Sequence, residues 1–347
     1  MKLKSWMRRT AAAALVCSSF ALAADAPATS TATEAEKAKA LKGKKVAFIP
    51  IAMGFDLTEG WAAVMRHDAK KYGFSLTIKD PNWSTDQQLQ AMSAVMAEKP
   101  DIIIAHNTNL QLLAKSLQKA EKAGIPVVQL NMPSAYKTDA YIGVDWVDLG
   151  RQTGERVVEE CSKKKGKSGK VAVIQGMITD AASVFQLQGF NEALAKHPGE
   201  VEVVTNQPAE WDASKAKNVS ETIVQQYKDL CGVFGMWDVM MKGAGETIKA
   251  ASAGRPEPIK VFTSGGGTTL DCNGIKSGIY HTVWVYNVPK QARAIMDATE
   301  AILMSKSKPG SKHETQFTQL VELNKTSMTE GSCWDLETLK KQMASAN

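Results

Sequence analysis

Histidine is scarce in this 347-residue chain, and the five present, His67, His106, His197, His281 and His313, are scattered. None is spaced with cysteine or acid as a zinc site requires. No Gly-x-Ser-x-Gly elbow occurs. The run Gly265-Gly266-Gly267 lacks the Lys-Ser/Thr of a phosphate loop and the spaced glycines and distal acid of a dinucleotide site. Strand-end acids could do acid–base work, but nothing supplies a nucleophile. These absences argue against an enzyme and against a resident metal or cofactor. Charge of one sign is also lacking. Lys2, Lys4, Arg8 and Arg9 lie in an N-terminal leader, and beyond it 38 basic residues face 36 acidic ones, so the formal +6 falls to +2. That leaves no electrostatic case for nucleic acid. No segment after the leader is long and apolar enough to span a bilayer. Cysteine is limited to five, one of them (Cys17) in the leader. The other four, Cys161, Cys231, Cys272 and Cys333, permit two disulfides in three connectivities.

The first 23 residues have the form of a secretory signal: basic Lys2–Arg9, apolar Thr10–Leu22, and the small-x-small site Ala21-Leu22-Ala23. The alternative, a membrane anchor, needs a longer apolar run, and Val16 before Cys17 fits lipidation poorly. Residues 24–43, rich in Ala, Thr, Lys and Glu, are expected to be a flexible leader. The mature chain is expected to be exported, to the periplasm in a bacterium.

What remains is a regular alternation. Apolar runs such as Lys45–Ile51, Asp101–Ala105 and Ile125–Leu130 read as buried parallel strands. Helical patterns follow each, among them Thr58–Lys71, Asp86–Glu98 and Leu110–Ala123. After Tyr141–Val144 the pattern restarts and runs on to a last strand at Thr315–Leu323 and a short tail from Cys333. The spacing predicts an α/β protein of two doubly wound, parallel-sheet lobes, with Ala140–Gly150 as a crossing between them. Asp148 reads as the cap of the helix there, leaving Asp145 free to accept from a ligand. In open parallel sheets ligands lie beyond the carboxyl ends of the strands. The residues at those ends are Phe55, Asp56, Trp83, His106, Asn107, Asn131, Asp145, Trp146, Trp211, Trp237, Asp238 and Tyr286, with Asp212 and Trp284 beside them. Five of the seven tryptophans beyond the leader fall there, Trp83, Trp146, Trp211, Trp237 and Trp284, whereas Trp61 sits on an amphipathic helix face and reads as core.

Several phrases carry a resemblance: Lys45–Ile51, Ala120-Glu-Lys-Ala-Gly-Ile-Pro-Val-Val128, Ile142-Gly-Val-Asp145, Gln188-Gly189-Phe190 and Gln207-Pro-Ala-Glu-Trp-Asp212. Over roughly residues 44–325 the chain resembles the type I periplasmic solute-binding proteins, the ribose-binding class that serves sugar ABC transporters. The resemblance implies three hinge crossings, near Val144-Asp145, Tyr286-Asn287 and Leu323-Asn324. It implies a first lobe of residues 44–144 plus 287–323 and a second of 145–286 plus 324–347. It makes Cys272–Cys333 and Cys161–Cys231 the expected disulfides. It places a pocket on Phe55, Asp56, His106, Asn107, Asn131, Asp145, Trp146, Trp211, Trp237, Asp238 and Gly265. It also implies a monomer that delivers a small sugar-like or polyol solute to a membrane permease, or a sensor that presents a ligand to a histidine kinase or chemoreceptor. The chain departs from the family where Asn131-Met132 replace an Asp-Arg pair, where Val184, Phe185 and Gln186 replace an arginine, and where Gly265 replaces an aspartate. These losses, with the extra tryptophan, point away from an ordinary pyranose toward a smaller polyol, a deoxygenated sugar, or a ligand with an apolar or cationic part.

Overall fold

The computed structural model describes residues 32–305 and 307–345. The expected signal at 1–23 lies outside them. Two six-stranded sheets form the frame. The first contains β1 (Lys45–Ile49), β2 (Ser75–Ile78), β3 (Ile102–Ala105), β4 (Val127–Asn131), β5 (Ala140–Gly143) and β11 (Glu314–Phe317), in the order β2-β1-β3-β4-β5-β11. The second contains β6 (Lys170–Gln175), β7 (Glu202–Pro208), β8 (Gly232–Gly235), β9 (Lys260–Gly265), β10 (Thr282–Val285) and β12 (Val321–Leu323), in the order β7-β6-β8-β9-β10-β12. Every pairing is parallel except β10 with β12.

The inner strands are parallel because helices link them and cover both faces. β3, β4 and β8 are buried along their whole length, which is why they are written as continuous apolar runs. In each sheet the order turns back at the first strand, β1 or β6, whose neighbours leave to opposite sides. A crevice opens at such a switch point, beyond the carboxyl ends. Both lobes therefore present their crevices through the same loops.

The helices of the first lobe are α1 (Glu34–Leu41), α2 (Asp56–Tyr72), α3 (Thr85–Glu98), α4 (Ala114–Lys122) and α10 (Val288–Met304). Those of the second are α5 (Trp146–Cys161), α6 (Ala181–Ala195), α7 (Ala213–Gln226), α8 (Asp238–Ala251) and α9 (Thr269–Ser277). The last helix is α11 (Leu336–Ser345). The chain crosses between lobes after β5, after β10, and between β11 and β12. The crossings are sewn together: Thr318 N donates to Gly143 O at 2.7 Å, and Gln291 Nε2 donates to Thr318 Oγ1 at 3.1 Å.

Four expectations are corrected. Residues 24–43 are not a flexible leader throughout. Thr33 and Glu36 form a reciprocal capping box, and α1 ends on Leu41, which is fully buried. Glu34 accepts from Tyr72 Oη at 2.9 Å, and Lys37 pairs with buried Glu300 at 2.8 Å, so α1 is fastened to α2 and α10. Thr315–Leu323 is two strands in two sheets rather than one, which moves the third crossing from Leu323-Asn324 to residues 318–320. α9, capped by Thr268 and Asp271, follows the Gly265-Gly266-Gly267 run, where the sequence pattern gives no helix. The tail folds as α11, which lies on α2 of the first lobe although residues 324–347 were assigned to the second. The disulfides Cys161–Cys231 and Cys272–Cys333 are both present, with Cα–Cα distances of 5.7 and 6.2 Å.

Candidate ligand-binding cleft

Each lobe sends a tryptophan into the seam by the same local device. After β2, Asn82 and Trp83 are both left-handed, with φ 47° and 67°. After β7, Glu210 and Trp211 repeat this at 54° and 62°. Two consecutive non-glycine residues in this region cost on the order of 1–2 kcal/mol each and turn the second side chain back over the strand ends. Trp83 stacks on Phe55 at 5.2 Å between ring centroids, with 22° between planes. From the second lobe Trp237 meets Phe55 edge-on at 5.7 Å and Trp83 at 6.3 Å, and Trp211 stands perpendicular to Trp237 at 6.1 Å. Trp211 needs Gly176 beneath it, since a Cβ at that position would lie 2.0 Å from the indole. The indole N–H of Trp211 donates to Asp180 at 2.6 Å.

A narrow cavity of about 30 Å³ lies among these rings. Its walls are Phe55, Trp83, Trp146, Trp211, Trp237 and Tyr286, with Ile51, Leu57, Met132, Ala182 and Met236 filling between them. Among the described residues, His106 and Asn131 are the polar side chains that line it beside Tyr286 and the tryptophans. His106 is buried with both ring nitrogens unpartnered. Burial holds its pKa down at about 3, so the ring is neutral. It sits edge-on to Trp61 at 5.0 Å. Asn131, left-handed at φ 59°, accepts from Gln291 through its side chain, and its carbonyl receives Trp146 Nε1 and Tyr141 Oη, both at 2.7 Å.

Behind the second-lobe wall lie three acids. Asp180 caps α6, accepting from Ser183 N at 2.8 Å, and burial pushes its carboxyl up to about 7. Asp238 and Asp271 close on Gly265 from two helices. A Cβ there would be 2.5 Å from Asp238 Oδ2 and 2.8 Å from Asp271 Oδ1. Burial pushes Asp271 up to about 6, and the backbone N–H groups of Gly267 and Thr268 that donate to it favour its charge over that of Asp238. Burial and that neighbouring charge push Asp238 up, so the pair keeps a proton. Among the described residues no lysine or arginine lines the cavity. Flat apolar faces with a few neutral polar groups suit a small solute with C–H surfaces, and they do not suit an anion.

Of the twelve expected site residues, eight line this cavity: Phe55, Trp83, His106, Asn131, Trp146, Trp211, Trp237 and Tyr286. Four do not. Asp56 is exposed at the start of α2. Asn107 is spent inside the first lobe, donating to Gln129 Oε1 and Met132 O. Asp238 is buried behind the wall. Asp145 reverses its assigned role: it is the N-cap of α5, accepting from Asp148 N at 2.9 Å, while Asp148 pairs with Arg151. α5 starts at Trp146, immediately after Asp145, so the cap falls there and not three residues on. Of the two strand-end neighbours, Trp284 is a fully buried core residue and Asp212 caps α7. The sequence reading missed the apolar fillers Ile51, Leu57, Ala182 and Met236, which carry no chemical signal. It also missed Asp271, because α9 was missed.

The periplasmic binding protein domain profile matches residues 46–307. The chain belongs to the periplasmic binding protein family. The ribose import binding protein of Salmonella typhimurium is 27% identical over 186 residues, 53% of this chain and 60% of that protein. The galactofuranose-binding protein of Escherichia coli is 27% identical over 218 residues, 58% and 67% of the two chains. This binding protein thus spans about 60% of the length of the ribose import relatives it matches. The fold is that of solved type I binding proteins. The crystal structure of a galactofuranose binding protein has a TM-score of 0.70 at 19% identity, covering 87% of this chain and 99% of that one. The fructose binding periplasmic domain of a hybrid two-component system has a TM-score of 0.71 at 16% identity, covering 87% and 95%. These relatives and neighbours are binding proteins rather than enzymes.

Proposed function

We propose that this periplasmic binding protein is the capture component of an ABC importer. It is exported by cleavage of residues 1–23, clamps a small sugar-like or polyol solute between its lobes, and hands it to a membrane permease. The observation that carries this reading is the aromatic cleft built from both lobes, Phe55 and Trp83 against Trp211 and Trp237. Stacking on the C–H faces of a solute contributes on the order of 0.5–1.5 kcal/mol per ring. Closure excludes water around it, and contacts from both sides shift the population toward the closed form. The relatives' sugars, ribose and galactofuranose, make pentoses and furanoses the first solutes to try, with the corresponding polyols beside them. A thermal-shift screen over these, with sugar acids, amines and small aromatics alongside, tests the proposal. A neutral polyhydroxy compound raises the melting temperature by mass action and sugar acids do not. A shift with amines alone would sink the sugar-like reading.

A second reading has one observation in its favour, the likeness to a sensor's periplasmic domain. In that case the closed protein presents its ligand to a membrane kinase. Reconstituted permease ATPase activity, stimulated by the loaded binding protein, separates the two.

A further inference from the structure

The tail after β12 has no part in either sheet, yet it touches both lobes. It turns at Asn324, whose side chain accepts from the backbones of Thr326 and Ser327 at 2.9 and 3.0 Å. At Cys333 it is bonded to Cys272 of α9, and so to the second lobe. Trp334 then adds a single parallel bridge to Thr268. Its N–H donates to Gly267 O at 2.8 Å, its carbonyl accepts from Thr269 N at 3.1 Å, and its indole N–H donates to Gly266 O at 2.8 Å. One covalent bond and three hydrogen bonds therefore hold the pair Cys333-Trp334 just beyond β9.

The other side of the same indole rests on the first lobe. A Cβ on Gly60 of α2 would lie 2.8 Å from Trp334 Cη2, so this helix position has room only for glycine beneath the ring. α11 continues along α2, burying Leu339. Helix α2 is the one that follows Phe55 and carries Leu57, both walls of the cleft.

We infer that residues 333–345 are a strap, anchored covalently in the second lobe and docked without a covalent bond on α2 of the first, which holds the lobes closed and positions the Phe55 wall. The inference rests on the reading of the seam as a solute clamp. Opening by hinge rotation leaves the anchored side in place, so the contact of Trp334 and α11 with α2 is what must break. Trp334 is thus a positioning residue: it touches Gly60 and the Gly266 carbonyl and acts on the cleft through them.

The test reads lobe separation with no ligand present, so it stands whether or not the solute screen succeeds. Fluorophores on non-natural amino acids replace Leu112 and Ile178, two exposed residues at the cleft rim, where Leu110 N donates to Thr179 O across the seam at 3.0 Å. In the otherwise native protein the distance is short and single. Trp334→Ala raises the open population about tenfold, and Cys272→Ser with Cys333→Ser does the same. Trp334→Phe, which keeps a ring over Gly60, restores most of the closed form. Circular dichroism and the melting of the second lobe check that each variant is folded. If folded Trp334→Ala gives the parent's distance distribution, the strap is only a packed terminus and the inference fails. The inference fails equally if Phe and Ala behave alike.

Discussion

The two lobes share a plan and differ in chemistry. Each turns its sheet order at its first strand, and each uses two left-handed residues to throw a tryptophan into the seam, Trp83 in one and Trp211 in the other. Around this frame the first lobe places neutral groups. His106 is uncharged, and Gln88, Asn107, Gln129 and Asn131 bond to each other's loops. The second lobe places acids, Asp180, Asp238 and Asp271, and both disulfides fall within it or its tail. The first-lobe wall is thus backed by amide networks and the second by buried carboxyls, while Cys161–Cys231 joins the end of α5 to the start of β8, away from the cleft. Aromatic faces stand on both sides, while the polar backing of each wall differs and sets how it responds to pH.

The largest expected effect tests the covalent half of that contrast. Replacing Cys161 and Cys231 by serine removes a link across a sequence separation of 70 residues and costs roughly 2–5 kcal/mol. Calorimetry should then show the second lobe melting first, with the first lobe unmoved. A uniform downward shift would mean that the lobes unfold as one unit. Next in size are the paired tryptophans. Trp83→Ala and Trp237→Ala each weaken binding of the solute found by the screen, by on the order of 10- to 100-fold in titration calorimetry, because each removes a ring with large apolar area from the cleft. Gly176→Ala acts through Trp211 and lowers affinity without touching the solute. The phenylalanine swap separates the lobes: Trp211→Phe strands Asp180 and loses more than Trp83→Phe, whose ring is held by stacking.

The pH response comes third, with opposite signs on the two sides. Asp180 titrates near 7 in the folded protein and near 3.8 when unfolded. The folded state therefore binds the extra proton, and stability falls as pH climbs from about 4 to 7. His106 titrates near 3 when folded and near 6.5 when unfolded, so its contribution is lost as pH drops below about 6.5. Asp180→Asn should flatten the first limb of a urea-midpoint profile, and His106→Gln the second. Glu121, pushed up to about 7 by burial beside Asp139, adds to the first limb from the other lobe, so single variants rather than the parent profile give the answer. The smallest effect concerns Asp145. Asp145→Ala costs about 1 kcal/mol of stability by loss of the cap, Asp145→Asn a few tenths, and neither changes solute affinity. A loss of affinity in the asparagine variant would restore Asp145 to the site.

The two lobes, their alternation of strands and helices and most cavity walls were legible because buried parallel strands are written as apolar runs and tryptophan at a strand end stands out. The failures have particular causes. Thr33 and Glu36 spelled a capping box, but the Ala- and Lys-rich composition around them masked it. Thr315–Leu323 alternates evenly across a point where the chain changes sheets, and only tertiary pairing reveals the break. Asp145 and Asp148 each suit a cap, and the choice depends on where the helix begins, to within a turn. The docking of the short tail on α2 was not legible because its partner, Gly60, lies far away in sequence.

If the protein is exported as proposed, the order of its cysteines along the chain has a consequence. A chain that crosses a membrane from its N-terminus delivers Cys161, then Cys231, then Cys272, then Cys333. The native bonds join the first to the second and the third to the fourth. Pairing each thiol with the next to emerge therefore yields the correct connectivity. A simple oxidase working on the arriving chain is enough, and no isomerase has to undo a wrong bond.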